Sequence, residues 1–288
     1  MHTWKTRIAA TLAVLMLTNC ISPAAFAQNT EESPQSTQVS LLSDENNADF
    51  TIEDGVLTAY TGSATSVTIP EGVTVIGDGS SPIFGSNVES VTIPASVTAI
   101  TDKAFYNCTG LTSVTFAEGS RLNTIGNEAF YAVNQLESLT IPEGVTSIGQ
   151  YAFTAMNKLQ TITLPGTLTT VCGGEWFGNL FARGTSGGAP AALASVNITE
   201  GGEQYRSHDG AVYSADGKTL IYCPAAKQSI DWLDGVTAIG AYAFYNSTMP
   251  SVNIPGTVIM RLRCTALPAL LQKNMWQRSG RIRATAAN

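Results

Sequence analysis

Leu136-Glu137-Ser138-Leu139-Thr140-Ile141-Pro142-Glu143-Gly144-Val145-Thr146-Ser147-Ile148-Gly149-Gln150-Tyr151-Ala152-Phe153 is the stretch that decides the fold. Leu139 and Ile141 alternate with polar residues, as in a short strand buried on one face. Pro142 cannot donate to a ladder and ends the strand. Glu143-Gly144 makes a turn, and Val145 and Ile148 return to the core. Gly149 permits a tight backbone. Tyr151 to Met156 is long enough for one or two helical turns, with Phe153 filling the middle beside the small Ala152. One such unit offers five or six core side chains, each worth ~1.5–3 kcal/mol when fully buried. It can bury them only against copies of itself.

Those copies are present. The strand-end position recurs at Ile69, Ile93, Phe116, Ile141 and Leu164, spaced 24, 23, 25 and 23 residues apart. The Ile of Ile-Gly recurs at Ile76, Ile100, Ile125 and Ile148, spaced 24, 25 and 23. Ala-Phe pairs recur at Ala104-Phe105, Ala129-Phe130, Ala152-Phe153 and Ala243-Phe244. Two independent landmarks keep one period, which predicts stacked coils at roughly 4.8 Å per coil if the strands pair in register.

The pattern L-x-x-V-x-I-P-x-x-V-x-x-I-G-x-x-A-F resembles the BspA-like leucine-rich repeats of bacterial cell-surface and secreted proteins. It is carried best by Leu111 to Phe130 and Leu136 to Phe153, and the resemblance covers about residues 49–258. Ile52-Glu53-Asp54-Gly55-Val56-Leu57 is similar to the N-terminal start of such arrays. The resemblance implies a right-handed leucine-rich-repeat solenoid of the α/β horseshoe type. Short parallel strands, turns and short helical segments make up repeats of about 23–25 residues, in seven or eight coils. It also implies a secreted or surface protein, some relatives being implicated in adhesion.

Composition agrees with a turn-rich repeat. The 288 residues are 44% hydrophobic and 13% charged, with 26 Gly and a net charge of −7. Net acidity argues against nucleic acid as a partner. Residues 1–27 read as a signal peptide: Lys5 and Arg7 precede an apolar run, and Ala25-Phe26-Ala27 predicts cleavage after Ala27. Cys20 loosely resembles a lipidation site, with Asn19 a poor match before it. Residues 28–48 are polar and read as a disordered linker. No other stretch is long and apolar enough to span a membrane, so the mature chain is expected to have no transmembrane span.

Departures mark the second half. Trp176-Phe177 stands where Ala-Phe is expected, and Val171-Cys172 where Ile-Gly is expected. Gly184 to Ala192 reads as a flexible loop. A hairpin insertion is expected near 199–228, from Ala211-Val212-Tyr213 and Thr219-Leu220-Ile221-Tyr222. His208-Asp209-Gly210-Ala211-Val212 echoes Glu53-Asp54-Gly55-Val56-Leu57. Val252-Asn253-Ile254-Pro255 opens another unit that no Ile-Gly or Ala-Phe completes. From Gly256 onward there are six basic residues and no acidic one, whereas residues 28–258 hold seven basic residues and all 22 acidic ones. Two readings of 259–288 stand side by side: a frameshift or truncation near Val258, or a genuine basic tail for an anionic surface.

Catalytic and metal chemistry find little footing. His208 is the one histidine left after cleavage, and Ser207-His208-Asp209 cannot form a triad among adjacent residues. A His208–Cys223 pair across the hairpin is the remaining nucleophilic arrangement. The cysteines have no zinc-type spacing, and Cys108 falls at an inward-facing repeat position. The chain is therefore expected to be no enzyme, and to need no cofactor or metal.

The candidate surface is the outward side of the strands. Period-2 alternation places Ser66/Thr68, Ser90/Thr92, Ser113/Thr115, Ser138/Thr140, Thr161/Thr163, Ser195/Asn197 and Ser251/Asn253 outside, as two ladders of hydroxyls and amides. Thr also favours strands for its own sake and pairs with Thr across them. Tyr205, Tyr213, Tyr222 and Trp232 are candidate aromatic anchors around the insertion. The function expected is a secreted or cell-surface binding and adhesion module for an extracellular protein or glycan. The alternative is a structural spacer of a larger surface protein whose functional or anchoring domain lies elsewhere.

Overall fold

The computed structural model describes residues 48–174, 177–182 and 188–259. The signal segment, nearly all of the linker, Trp176, Gly184 to Gly187, Cys264 and the basic tail after Ile259 lie outside them. The described chain is a leucine-rich-repeat solenoid of about eight turns, and a regular coil has three sides.

The first side carries Ser-Val-Thr-Ile type strands. β3 (Ser66–Thr68), β5 (Ser90–Ile93) and β7 (Ser113–Phe116) form one parallel sheet. β9 (Ser138–Thr140), β11 (Thr161–Leu164) and β13 (Ser195–Ile198) form another. Registers hold repeat on repeat, with Val67 opposite Val91 and Val91 opposite Val114.

The second side carries strands of two residues. β4 (Val75–Ile76), β6 (Ala99–Ile100), β8 (Thr124–Ile125), β10 (Ser147–Ile148) and β12 (Thr170–Val171) pair in parallel. The antiparallel hairpin of β1 (Phe50–Glu53) and β2 (Val56–Tyr60) starts this sheet, with β2 templating β4. The hairpin is closed by Asp54-Gly55, both in the left-handed region (φ 50° and 80°). Glycine follows β4, β8 and β10 at Gly77, Gly126 and Gly149, and at Gly149 it is sterically required. A Cβ at Gly149 would sit 2.5 Å from Asn127 N and 2.6 Å from Gly126 C.

The third side corrects the helical expectation. Tyr151 to Ala155 is turn, and the only helical segments among the described residues are the 3-10 turns Cys172–Gly174 and Phe177–Leu180. Left-handed residues flank each Ala-Phe: Lys103 and Asn107, Glu128 and Ala132, Tyr151 and Ala155, Tyr242 and Asn246. Alternate amides donate to the next coil, as Lys103, Phe105 and Asn107 do to Asn127, Ala129 and Tyr131 (3.0, 2.8 and 2.8 Å). An α-helix would direct those same N–H groups to carbonyls four residues back. Inter-coil bonding takes them instead, and no helix forms.

Phenylalanines stack along the axis. Phe84, Phe105, Phe130, Phe153 and Phe181 follow one another at centroid distances of 5.2, 4.9, 6.0 and 6.1 Å. Tyr60 leads into the column 5.7 Å from Phe84, and Tyr222 extends it 5.1 Å beyond Phe181. Leu180-Phe181, not Trp176-Phe177, therefore takes the Ala-Phe place of the fifth coil. The 3-10 turns lengthen that side and shift the position by four residues.

The insertion contains β14 (Tyr205–His208), β15 (Ala211–Ser214) and β16 (Thr219–Tyr222), each antiparallel to the next. The turn at Asp209-Gly210 repeats the left-handed geometry of Asp54-Gly55 (φ 49° and 70°). The templating role passes to a later strand here: β16, not β15, pairs in parallel with β17 (Ala238–Ile239). A second, smaller core lies beyond, around Tyr213, Leu220, Val236, Phe244 and Met249. Val252–Ile254 forms no strand. The first-side ladder ends at β13, so no neighbouring strand is there to pair with it.

Candidate functional site

The hydroxyl rows exist as expected in register but not in continuity. Ser66, Ser90 and Ser113 stand opposite one another, as do Thr68, Thr92 and Thr115. Ser138, Thr161 and Ser195 form a second set, with Thr140, Thr163 and Asn197 beside it. All are exposed or half-exposed. Ser90 Oγ donates to Ser66 Oγ at 2.8 Å, so the rows also bond along their length. Ser251 and Asn253 are not part of them, because their segment is not a strand.

The rows break between β7 and β9, which do not pair. On either side of the break, the carbonyl of Glu89 accepts from Thr112 and Ser113, and that of Glu137 from Gln160 and Thr161. Among the described residues the matching carbonyl of Thr112 receives no such bond. No strand ladder joins β7 to β9, whereas the Ile141 N–H after β9 donates to Thr163 of β11 at 2.9 Å. The broken coil is the one with a longer connection. Nine residues separate Phe116 from Ile125, against seven from Ile93 to Ile100 and from Ile141 to Ile148. Ala117 also replaces the proline found after Ile93 and Ile141.

A cleft of about 550 Å³ opens at the break. Ser113, Thr115, Ser138 and Thr140 rim it. Val114 and Phe116 form its apolar floor and are half-buried, whereas Val91, Ile93, Leu139 and Ile141 at the same repeat positions are fully buried. Glu143 stands at one end, accepting from the Thr199 hydroxyl. The floor residues and Glu143 were not among the candidates drawn from the sequence. The nine-residue spacing was the available signal.

A second depression, about 460 Å³, follows the glycine corner of the second side. Its polar groups satisfy one another. Asp102 accepts from Asn127 N (2.7 Å) and Nδ2 (3.1 Å), and Asn127 Oδ1 accepts from Gln150 N (2.8 Å). The cleft differs in being bordered by two strands, β7 and β9, that do not pair with each other.

The aromatic anchors divide. Tyr213 (0% exposed) and Tyr222 (3% exposed) are core side chains and leave the candidate surface. Alternation in a hairpin does not reveal that both of its faces are covered. Tyr222 sits in the phenylalanine column, and burial pushes its phenol far above the usual range. Tyr205 is half-buried, edge-on to Phe177 at 5.2 Å. Trp232 is half-buried against Phe244, with its indole N–H enclosed and without an acceptor among the described residues. Neither lies on the strand that carries the nearest hydroxyl pair.

His208 belongs to a small polar tie. Its Nε2 lies 3.5 Å from Asp231 Oδ2, and Lys227 Nζ lies 3.0 Å from Asp209 Oδ2. Asp231 N–H donates to Asp209 Oδ2 at 2.9 Å. Burial acts against the Asp209 charge, but this N–H and the Lys227 ammonium outweigh it and hold the carboxyl below its ordinary value. The arrangement fastens the hairpin turn to the following loop. Cys223 is buried, and desolvation pushes its thiol up to about 12, so it is no thiolate at neutral pH. Cys108 faces inward, its thiol likewise pushed up to about 12 by burial. No group of three or more His, Cys, Asp or Glu able to hold a metal occurs among the described residues.

The sequence profile described as the BspA type leucine rich repeat region matches the chain in six copies, over residues 80–180 and 219–262. The chain belongs to the BspA-type leucine-rich-repeat family. BspA-type repeats generally serve as protein-interaction modules, in proteins that are typically secreted or held at the cell surface. A leucine-rich repeat protein from Eubacterium ventriosum is similar at 25% identity and a TM-score of 0.53, over 72% of this chain and 57% of that one. The pneumococcal vaccine antigen PcpA is similar at 23% identity and a TM-score of 0.46, over 72% of this chain and 62% of that one. A leucine rich cell surface protein from Faecalibacterium prausnitzii aligns at 24% identity with a TM-score of 0.37, over 73% and 69%. This BspA-type chain thus spans about three fifths of the length of the first two. No curated protein matches it. No helix among its described residues is long and apolar enough to cross a membrane.

Proposed function

We propose that this chain is a secreted or cell-surface binding module that contacts an extracellular protein or glycan through the first side of its coils. It is exported by residues 1–27, cleaved after Ala27, and performs no catalysis. The observation that carries this reading is the two in-register sets of exposed and half-exposed Ser and Thr side chains, one on β3, β5 and β7 and one on β9 and β11. The rows lie on rigid parallel strands, so a partner meets many hydroxyls at fixed spacing without ordering them first. The rows hold no Lys, Arg, Asp or Glu, so recognition rests on hydrogen bonding and shape.

The test is binding of the full chain to arrays of extracellular-matrix proteins and glycans. Saturable binding to at least one is expected. Replacing Thr92 and Thr163 together by Lys is expected to weaken it at least ~10-fold, as loss of central contacts does, with the unfolding curve unchanged. Binding that ignores both substitutions makes the first side a bystander and leaves the spacer role as the better description.

A further inference from the structure

The geometry points to a peptide-binding cleft between β7 and β9, which takes an extended, cationic segment of a protein partner by strand addition. This rests on the reading of the first side as the binding face and names the partner chemistry at one place on it. Three features converge there.

The first is backbone. Each neighbouring pair within the two first-side sheets is joined by a ladder, and between β7 and β9 the ladder is missing. The facing edges of β7 and β9 are not joined by a ladder, and the Thr112 carbonyl beside β7 accepts no bond from the β9 side. Unpaired strand edges are templates for an added chain, whose main-chain groups supply affinity at any sequence. A glycan could use the hydroxyls but has no regular alternation of donors and acceptors to match a strand edge.

The second is the floor. Val114 and Phe116 are the first-side residues that the break uncovers. In an extended occupant every second side chain points the same way. Apolar residues at alternate positions would cover this floor while the others face outward.

The third is charge. Glu143 lines the cleft, and the exposed Glu118 and Glu137 stand beside its lining residues, while Arg121, beside Ser120, donates from Nε to the Ala95 carbonyl of the preceding coil at 3.2 Å. No Lys or Arg lines it. An occupant whose outward side chains are Lys or Arg meets a rim of opposite sign, and one bearing Glu is repelled.

The experiment measures binding of a fluorescent peptide of alternating Lys and Val to the full chain by anisotropy. Three comparison ligands accompany it: alternating Glu and Val, the Lys–Val peptide N-methylated at every second amide, and a linear glucose oligosaccharide. Two variants, Thr115→Trp at the rim of the cleft and Thr51→Trp on β1 of the second side, away from both the cleft and the hydroxyl rows, complete the set. Both sites are exposed, so the fold tolerates the larger ring. Saturable binding of the Lys–Val peptide is expected. It should fall at least ~10-fold on N-methylation and in Thr115→Trp, and stay unchanged in Thr51→Trp. No saturable binding, equal binding of the methylated or Glu peptide, or equal effects of the two variants would overturn the proposal. So would binding of the oligosaccharide in place of the peptide. If the peptide arm fails while Thr92 and Thr163 still govern binding to a matrix protein or glycan, the first side keeps its role and only the cleft loses its occupant.

Discussion

Phe130→Ala is expected to lower the unfolding free energy by about 3–5 kcal/mol, the usual cost of removing a buried phenylalanine. Its ring is fully buried and lies between two others, 4.9 Å from Phe105 with the planes 3° apart and 6.0 Å from Phe153. The cavity would cut the column next to the coil whose first side is already open. Each coil touches only its neighbours, so a weak coil at the centre divides the array into two shorter ones. Phe50→Ala, at the start of the column and half-buried, should cost clearly less. Urea unfolding followed by circular dichroism measures both. A loss under about 1 kcal/mol for Phe130→Ala would mean that the aromatic column is not what holds the middle coils together.

Gly149→Ala should destabilise through the backbone rather than through lost contacts. The added methyl would meet Asn127 N and Gly126 C, atoms of the preceding coil's own corner, which cannot turn aside as a side-chain tip can. The two corners must separate, and overpacking of this kind costs about 1–3 kcal/mol. Gly72→Ala is the informative comparison. Its Cβ would meet nothing within 4 Å, but its φ of 92° disfavours a side chain. Gly72→Ala should cost only conformational strain, about 1 kcal/mol. Thermal unfolding that ranks Gly72→Ala above Gly149→Ala would contradict close corner packing as the reason for glycine.

Much of this fold is legible in residue order because the array repeats. Ile76, Ile100, Ile125 and Ile148 recur at a spacing that local structure alone would not enforce, and all four fall in the two-residue strands of one sheet. Outward placement of Ser138 and Thr140 follows from alternation. What escaped reading is non-local. Tyr151 to Met156 has the length and composition of a helical turn, yet Tyr151, Phe153 and Ala155 donate to Asn179, Leu180 and Gly188 of the following coil. Tyr222 shares its face of β16 with the buried Leu220, but its stacking partner Phe181 is one that only the folded array supplies. The break after β7 is the most consequential case. Phe116 to Leu122 lengthens one connection by two residues while the whole repeat stays within the 23–25 range. Its mark is on spacing within the coil, not on the period.

The open first side between β7 and β9 is the central claim, since both the cleft and the division of the hydroxyl rows depend on it. Amide hydrogen exchange of the full chain, resolved to individual strands by mass spectrometry, tests it most directly. The cleft-edge amides of β7 and β9 should exchange at least ~10-fold faster than the paired amides of β5 and β11, because local opening is not needed to expose them. Equal protection across β5, β7, β9 and β11 would mean one continuous ladder and would contradict the account.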